Sequence, residues 1–219
     1  MMTMTRQGLG IIGIVFLLSA GNAGANSITG LGDPLSAPPF AGGSQQGFDA
    51  VANGLYPSIV LGNVTYSGIG APLTIGPDFN GSFNTTGGKS IFNDFDLVPA
   101  KFRFDFATSV SAFGFNWGAA DNTWLLEAFD PGGSLIESLV VPGTFGSNAG
   151  EFFGIAAAGI KFATITDQKN NIADGDYVFI DRFTTSDAEL SAVPEPSTIL
   201  LLASSLTGLA AVVRRRRSK

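Results

Sequence analysis

The sequence predicts an all-β sandwich or barrel, and three observations carry that prediction. Short runs of β-branched and aromatic residues recur at roughly 8–12-residue spacing, with Gly, Pro and Asp between them. One run, Lys101 to Phe106 (KFRFDF), alternates strictly, so an extended chain shows three phenylalanines on one face and three charges on the other. No stretch between residues 56 and 190 carries a 3.6-residue apolar period of helical length, and no repeat of fixed length points to a solenoid or propeller.

Taken in order, the chain opens on a processing segment. Arg6 precedes the 12-residue apolar run Leu9 to Ala20, which leads to Asn22-Ala23-Gly24-Ala25. A positive start, a short apolar core and a small-x-small exit predict a secretory signal peptide over 1–25, read by the Sec export machinery and cleaved after Ala25 with Ala23 two positions before. The run falls short of the roughly 20 residues a bilayer span needs. Residues 26–55 are rich in Gly, Pro, Ser and Ala and are expected to be an irregular lead-in that pairs at most one strand late.

The sandwich domain is expected over 56–186. Ser58 to Tyr66 is a β-branched run, and Lys101 to Phe106 is the alternating one. A turn is expected at Thr108-Ser109. Val110 to Trp117 follows, in which Phe113, Phe115 and Trp117 share a face. Trp124 to Phe129, Leu135 to Val141, Phe152 to Ile155, Ile160 to Thr166 and Tyr177 to Thr184 complete the series. Asp130-Pro131-Gly132-Gly133 and Asp174-Gly175-Asp176 are strong turn signals. Most of the 19 phenylalanines occupy inward-alternating positions and are expected to pack the core. An acidic spacer, 187–192, ends the domain.

Charge and composition exclude several functions. Residues 26–196 hold six Lys or Arg and all 18 Asp and Glu, a formal charge of −12, with no basic residue between Asn26 and Gly88. Such a surface repels nucleic acid, so nucleic-acid partners are rejected. Cysteine and histidine are both absent. There is no disulfide, no Ser-His-Asp or Cys-His nucleophile and no Cys/His zinc site. Carboxylate-pair enzymes and oxygen-ligand calcium sites remain.

Three sets of residues are candidates for chemistry. Trp117 and Trp124 flank a short loop with Asp121 and Asn122, a pairing that suits sugar stacking with polar hydroxyl contacts; rim or core packing is the plainer reading. Asp174, Asp176 and Asp181 form an Asp/Gly-rich cluster that would suit a structural calcium, or equally a set of turn-capping carboxylates. Asn93-Asp94-Phe95-Asp96 is a further acidic cluster. Glu127 with Asp130 or Glu137 is a conceivable glycosidase pair, but nothing in the sequence marks their separation. No catalytic residue is assigned.

The C-terminus, 193–219, reads VPEPSTILLLASSLTGLAAVVRRRRSK. Pro194 and Pro196 hold Val193 and Glu195 extended. Ser197 is placed to cap a helix over 197–213, which at 1.5 Å per residue is about 26 Å, marginal against a bilayer core of about 30 Å. Arg214, Arg215, Arg216 and Arg217 keep the C-terminus cytoplasmic by the positive-inside rule. Ala203, Thr207 and Ala211 make a small-residue face that would suit helix packing.

Val193-Pro194-Glu195-Pro196-Ser197, the apolar span and the arginine cluster together resemble the PEP-CTERM sorting signal of exported Gram-negative proteins, a signal also labelled an ice-binding-protein C-terminal domain. The resemblance implies an exosortase as partner, a transient stay in the inner membrane, and delivery to the cell surface or matrix beside exopolysaccharide and biofilm components. The runs from Ala112 to Glu137, Glu151 to Thr166 and Asp176 to Thr185, with the Ile180-Asp181 pair, resemble the β-sandwich ectodomains that accompany this signal and similar carbohydrate-binding modules. That resemblance implies a single jelly-roll-like β-sandwich. The expected function is an exported, non-enzymatic surface or extracellular-matrix protein. A carbohydrate- or ice-binding module is the second reading, and a carboxylate glycosidase the third.

Overall fold

A computed structural model describes residues 24–93, 101–169 and 176–187. The predicted signal segment before residue 24, Asp94 and Asp96, Asp174 and the sorting tail lie outside the described residues. Among the described residues no helix is long and apolar enough to cross a membrane.

The strands are β1 (Asn26–Leu31), β2 (Ser44–Gln46), β3 (Gly54–Tyr56), β4 (Ser58–Leu61), β5 (Val64–Gly68), β6 (Leu73–Pro77), β7 (Lys89–Phe92), β8 (Lys101–Gly118), β9 (Trp124–Phe129), β10 (Leu135–Val141), β11 (Glu151–Asp167) and β12 (Phe179–Ser186). Every pairing is antiparallel. They form an all-β, jelly-roll-like sandwich made from one continuous sheet folded over itself.

The fold-over happens in the two long strands, β8 and β11, which pair along most of their length. In β8 the inward residues are even-numbered at first (Phe102, Phe104, Phe106) and odd-numbered later (Phe113, Phe115, Trp117). A period-2 chain changes parity only where the regular pleat is interrupted. Val110 still enters the core with even parity, so the change falls between Val110 and Phe113, just past the exposed segment Ala107–Ser109, and β11 shifts register alongside it between Ala156 and Phe162. The turn expected at Thr108-Ser109 is therefore a bend inside one strand, because β11 bends with it and keeps the ladder.

One layer contains β4, β5, the first half of β8, the second half of β11, β9 and β10. The other contains β1, the first half of β11, the second half of β8, β12, β7, β6 and β3, with β2 alongside β7 on the same edge of β12. The layers meet through aromatic rings. Phe183 of β12 lies 4.8 Å from Phe104 and 5.2 Å from Tyr66 across the core, and stacks on Phe115 of its own layer at 5.5 Å. A domain without disulfides depends on such rings for its stability.

Residues 26–55 are a correction to the expected lead-in, since they supply β1, β2 and β3 and bury Phe40 and Phe48. Two 3-10 turns, Pro34–Ser36 and Pro38–Phe40, lay this segment over the outer face of the second layer. Phe40 packs there on Ala112, Phe152 and Ala156. A Cβ on Gly114 would come within 2.7 Å of the Phe40 ring, so glycine at this position is what lets the ring approach the strand. Asp33 caps the first turn by accepting from the Leu35 N–H at 2.9 Å. It also accepts from Gln45 Nε2, which donates to Thr184 of β12 as well.

Candidate functional site

The two tryptophans singled out from the sequence do meet, 5.2 Å apart and edge to face, at the end of β8 and the start of β9. Both are 0 % exposed. The sugar-stacking role is corrected by that burial, because neither ring has a face open to a ligand; the pair is core. Asp121 and Asn122 serve the fold through their backbone. Their N–H groups donate to the Asp176 carboxylate at 2.8 and 3.0 Å, and Trp124 Nε1 donates to it at 2.7 Å.

The same network corrects the calcium set. Asp176 is buried with both oxygens committed to those three donors, and its carbonyl accepts from Asn93 Nδ2. Asp181 is turned elsewhere, accepting from the Thr86 hydroxyl. Asp174 lies outside the described residues, and among those described no three acidic side chains gather as a metal ion requires. For the glycosidase candidates, Glu127 stands opposite Ser138 and Glu137 opposite Ala128, so the two occupy different faces of the sheet. Asp130 accepts from Ser134 N within its turn. Ala25 is half-buried against the core just ahead of β1; Ala23 lies outside the described residues.

The feature that sequence reasoning missed is a surface cluster of rings on the outer face of the second layer. Phe92 of β7 and Phe179 of β12 are register partners with ring centroids 5.0 Å apart. Tyr177 lies 4.9 Å from Phe179. Phe79 caps this base at 5.1 Å from Phe179 and touches Phe83 at 5.2 Å. Phe83 in turn stacks on Phe145 at 4.5 Å, with 10° between the planes. Phe79 is 41 % exposed and Phe145 48 %. The result is a ledge whose base is buried or half-buried and whose outermost rings, Phe79 and Phe145, face solvent.

A strained loop holds the ledge. Between β6 and β7, Asn80, Phe83 and Asn84 have φ of 52°, 55° and 64°. Asparagine tolerates the left-handed region, but a phenylalanine there costs on the order of 1–2 kcal/mol and persists only where its surroundings impose it. Asn84 is the imposing residue. Buried to 1 % exposure, it donates to the carbonyls of Trp117 (2.8 Å) and Glu151 (3.1 Å). Its Oδ1 accepts from the N–H groups of Gly150 (2.7 Å) and Glu151 (2.9 Å). Ala119 N also donates to Phe83 O at 2.7 Å, and Asp78 accepts from Asn80 N and Gly87 N. One side chain thus ties the loop carrying Phe79 and Phe83 to the loop carrying Phe145. Asn80 and Asn148 are exposed on the same two loops.

Beside this loop, the gap along β12 between β2 and β7 holds Asp181 and Arg182, where Arg182 takes φ 46° and the register slips. Burial lifts the Asp181 carboxyl to about 6, with the Thr86 hydroxyl and Arg182 opposing and Asp49 adding to it. Among the described residues, Asp181 Oδ1 and Tyr66 OH are buried without hydrogen-bond partners, and burial together with the Asp181 charge holds the Tyr66 phenol well above its usual range.

No curated protein matches the sequence. Among solved structures, TmCBM61 in complex with β-1,4-galactotriose is similar over 57% of this chain and 88% of its own, at 18% identity and a TM-score of 0.35. The enzymatically active domain of bacteriophage CBA120 tailspike protein 4 is similar over 57% of this chain at 17% identity and a TM-score of 0.34. This chain spans 19% of that tailspike structure. Residues 192–217 match the family model of the PEP-CTERM protein-sorting motif, so the chain is one that carries the PEP-CTERM sorting signal.

Proposed function

We propose that this protein is an exported, non-enzymatic component of the cell surface or extracellular matrix that binds carbohydrate through its aromatic ledge. The sorting motif supports export and processing by an exosortase. In this reading the chain leaves through the Sec machinery, pauses in the inner membrane of a Gram-negative cell, and reaches exopolysaccharide outside. The observation that carries the binding reading is the ledge itself: Phe79 and Phe145, exposed, with the half-buried Phe83 packed between them and held against backbone strain by Asn84. Pyranose rings present apolar C–H faces that stack on aromatic rings, and exposed amides such as Asn80 and Asn148 suit the surrounding hydroxyls.

Affinity electrophoresis of the mature protein through gels containing neutral or acidic polysaccharides tests this. Retardation by at least one glycan is expected, weakened about tenfold by Phe79→Ala or Phe145→Ala, since one lost ring contact is worth roughly 0.5–1.5 kcal/mol beyond its buried area. Free migration in every gel, or retardation indifferent to both substitutions, overturns the binding reading. Mass spectrometry of the C-terminus from cells with and without an exosortase tests the sorting step; an intact Lys219 in normal cells overturns it.

A further inference from the structure

The strand register places both ends of the sandwich on one line. Asn26 of β1 faces Ala156 of β11, Ala156 faces Ala112 of β8, and Ala112 faces Ser186 of β12. This row lies next to the bends of β8 and β11, where Ala107, Thr108, Ser109, Ala158 and Gly159 are exposed. The ledge lies toward the other pole. Phe179 is seven residues up β12 from Ser186, about 23 Å at the usual strand rise. Phe83 and Phe145 extend from loops anchored to Gly150 and Glu151, where β11 begins.

From this geometry we propose that, while the C-terminal segment is held in a membrane, the sandwich meets that membrane with its bend pole and carries the ledge outward. Occupancy of the ledge by an extracellular glycan in this state rests on the carbohydrate reading above; the orientation does not.

Length decides between orientations. Only six residues, 187–192, separate Ser186 from Val193, where the sorting motif's Pro-Glu-Pro begins. Fully extended, the chain from Ser186 to Val193 reaches about 25 Å. With the bend pole down, Ser186 sits near the membrane and the spacer keeps its slack. Turning the ledge down would lift Ser186 by about the length of β12 plus the loops beyond Phe179, which uses the whole reach and its conformational entropy. The two bends bear only Ala, Thr, Ser and Gly side chains, a small uncharged surface, with Lys161 donating beside them to the carbonyls of Phe106 and Ala107. Acidic groups stand at both poles, Asp130 and Asp187 near the bends and Asp121 and Glu151 at the other end, so the choice of orientation rests on chain length.

The chain has no cysteine, so single labels are clean. Full-length precursor, purified from cells lacking exosortase, is reconstituted in phosphatidylethanolamine/phosphatidylglycerol vesicles containing a headgroup spin-label quencher. A fluorophore is placed at Thr108→Cys or Ala158→Cys for the bends, and at Ser82→Cys or Asn148→Cys for the ledge loops; all four positions are exposed. Quenching at both bend positions at least threefold above that at both ledge positions is the expected result. Equal quenching at the two poles, or stronger quenching at the ledge, overturns the orientation. Glycan retention of the same vesicles is scored separately. Asymmetric quenching without glycan retention leaves the orientation standing and removes the carbohydrate reading, and symmetric quenching with retention does the reverse.

Discussion

Phe83 lies parallel to Phe145, their centroids 4.5 Å apart, although one precedes β7 and the other precedes β11. Two loops from distant parts of the chain are registered to within a ring's thickness, and the residue between them is Asn84, bonded to the backbone at Gly150 and Glu151. The ledge is therefore set by one buried amide more than by the packing of the rings themselves.

Asn84→Ala is expected to destabilise the domain by about 2–4 kcal/mol, because it removes four bonds and leaves buried backbone groups unpaired. Asn84→Gly relieves the φ of 64° yet loses the same bonds, so it should be nearly as damaging. Urea unfolding checks this. If the glycine variant is as stable as the native protein, strain rather than hydrogen bonding governs the loop.

Phe183→Ala should be among the most costly single changes in the core, about 3–5 kcal/mol. Its ring contacts Phe104, Phe113, Phe115 and Tyr66 across both layers, and no disulfide compensates. Thermal unfolding followed by circular dichroism measures the loss. Since β12 is the strand that leads to the sorting tail, export yield should fall with it.

The stability contributed by Asp181 should depend on pH in the direction opposite to a salt-bridged carboxylate. Its folded value of about 6 exceeds the ordinary value near 4. The contribution is complete below about pH 4 and is lost as pH rises through about 6, on the order of 3 kcal/mol in all. Asp181→Asn should therefore gain on the native protein as pH rises from 4 to 7. Denaturant midpoints across that range test it, and a constant difference between the two proteins would refute the assignment.

Trp117 and Trp124 are sealed in the core, so their emission should be blue-shifted, poorly quenched by iodide and indifferent to any glycan. Phe145→Trp would add a ring at the ledge whose emission responds to ligand. A glycan that shifts the native tryptophan signal would show that the β8–β9 loop opens, contrary to its closure by Asp176.

Much of the fold was legible because a strand has period two. The alternation in KFRFDF specified which residues of β8 enter the core, and the later odd-numbered set, Phe113, Phe115 and Trp117, was equally readable. The change of parity between them marked a discontinuity, but whether it was a turn or a bend depended on β11, far along the chain. The lead-in was misread for the same kind of reason: Gly- and Pro-rich segments show no period even when their few aromatic residues, Phe40 and Phe48, are fully buried.

By itself, the sequence determined the all-β class, the inward faces of the central strands, the acidic character and the PEP-CTERM signal, because each is written in local order or composition. Tertiary structure alone decided which aromatic residues are available. Trp117 and Trp124 could be read from sequence as sugar contacts or, more plainly, as packing; they are core, since β8 and β9 bring them face to edge between the layers. Phe79, Phe83 and Phe145 sit in loops without periodicity, and long-range contacts, the hydrogen bonds of Asn84 and the packing of Phe79 on Phe179 among them, assemble them into a surface. Exposure is a property of the packed layers, and no spacing within a single segment encodes it.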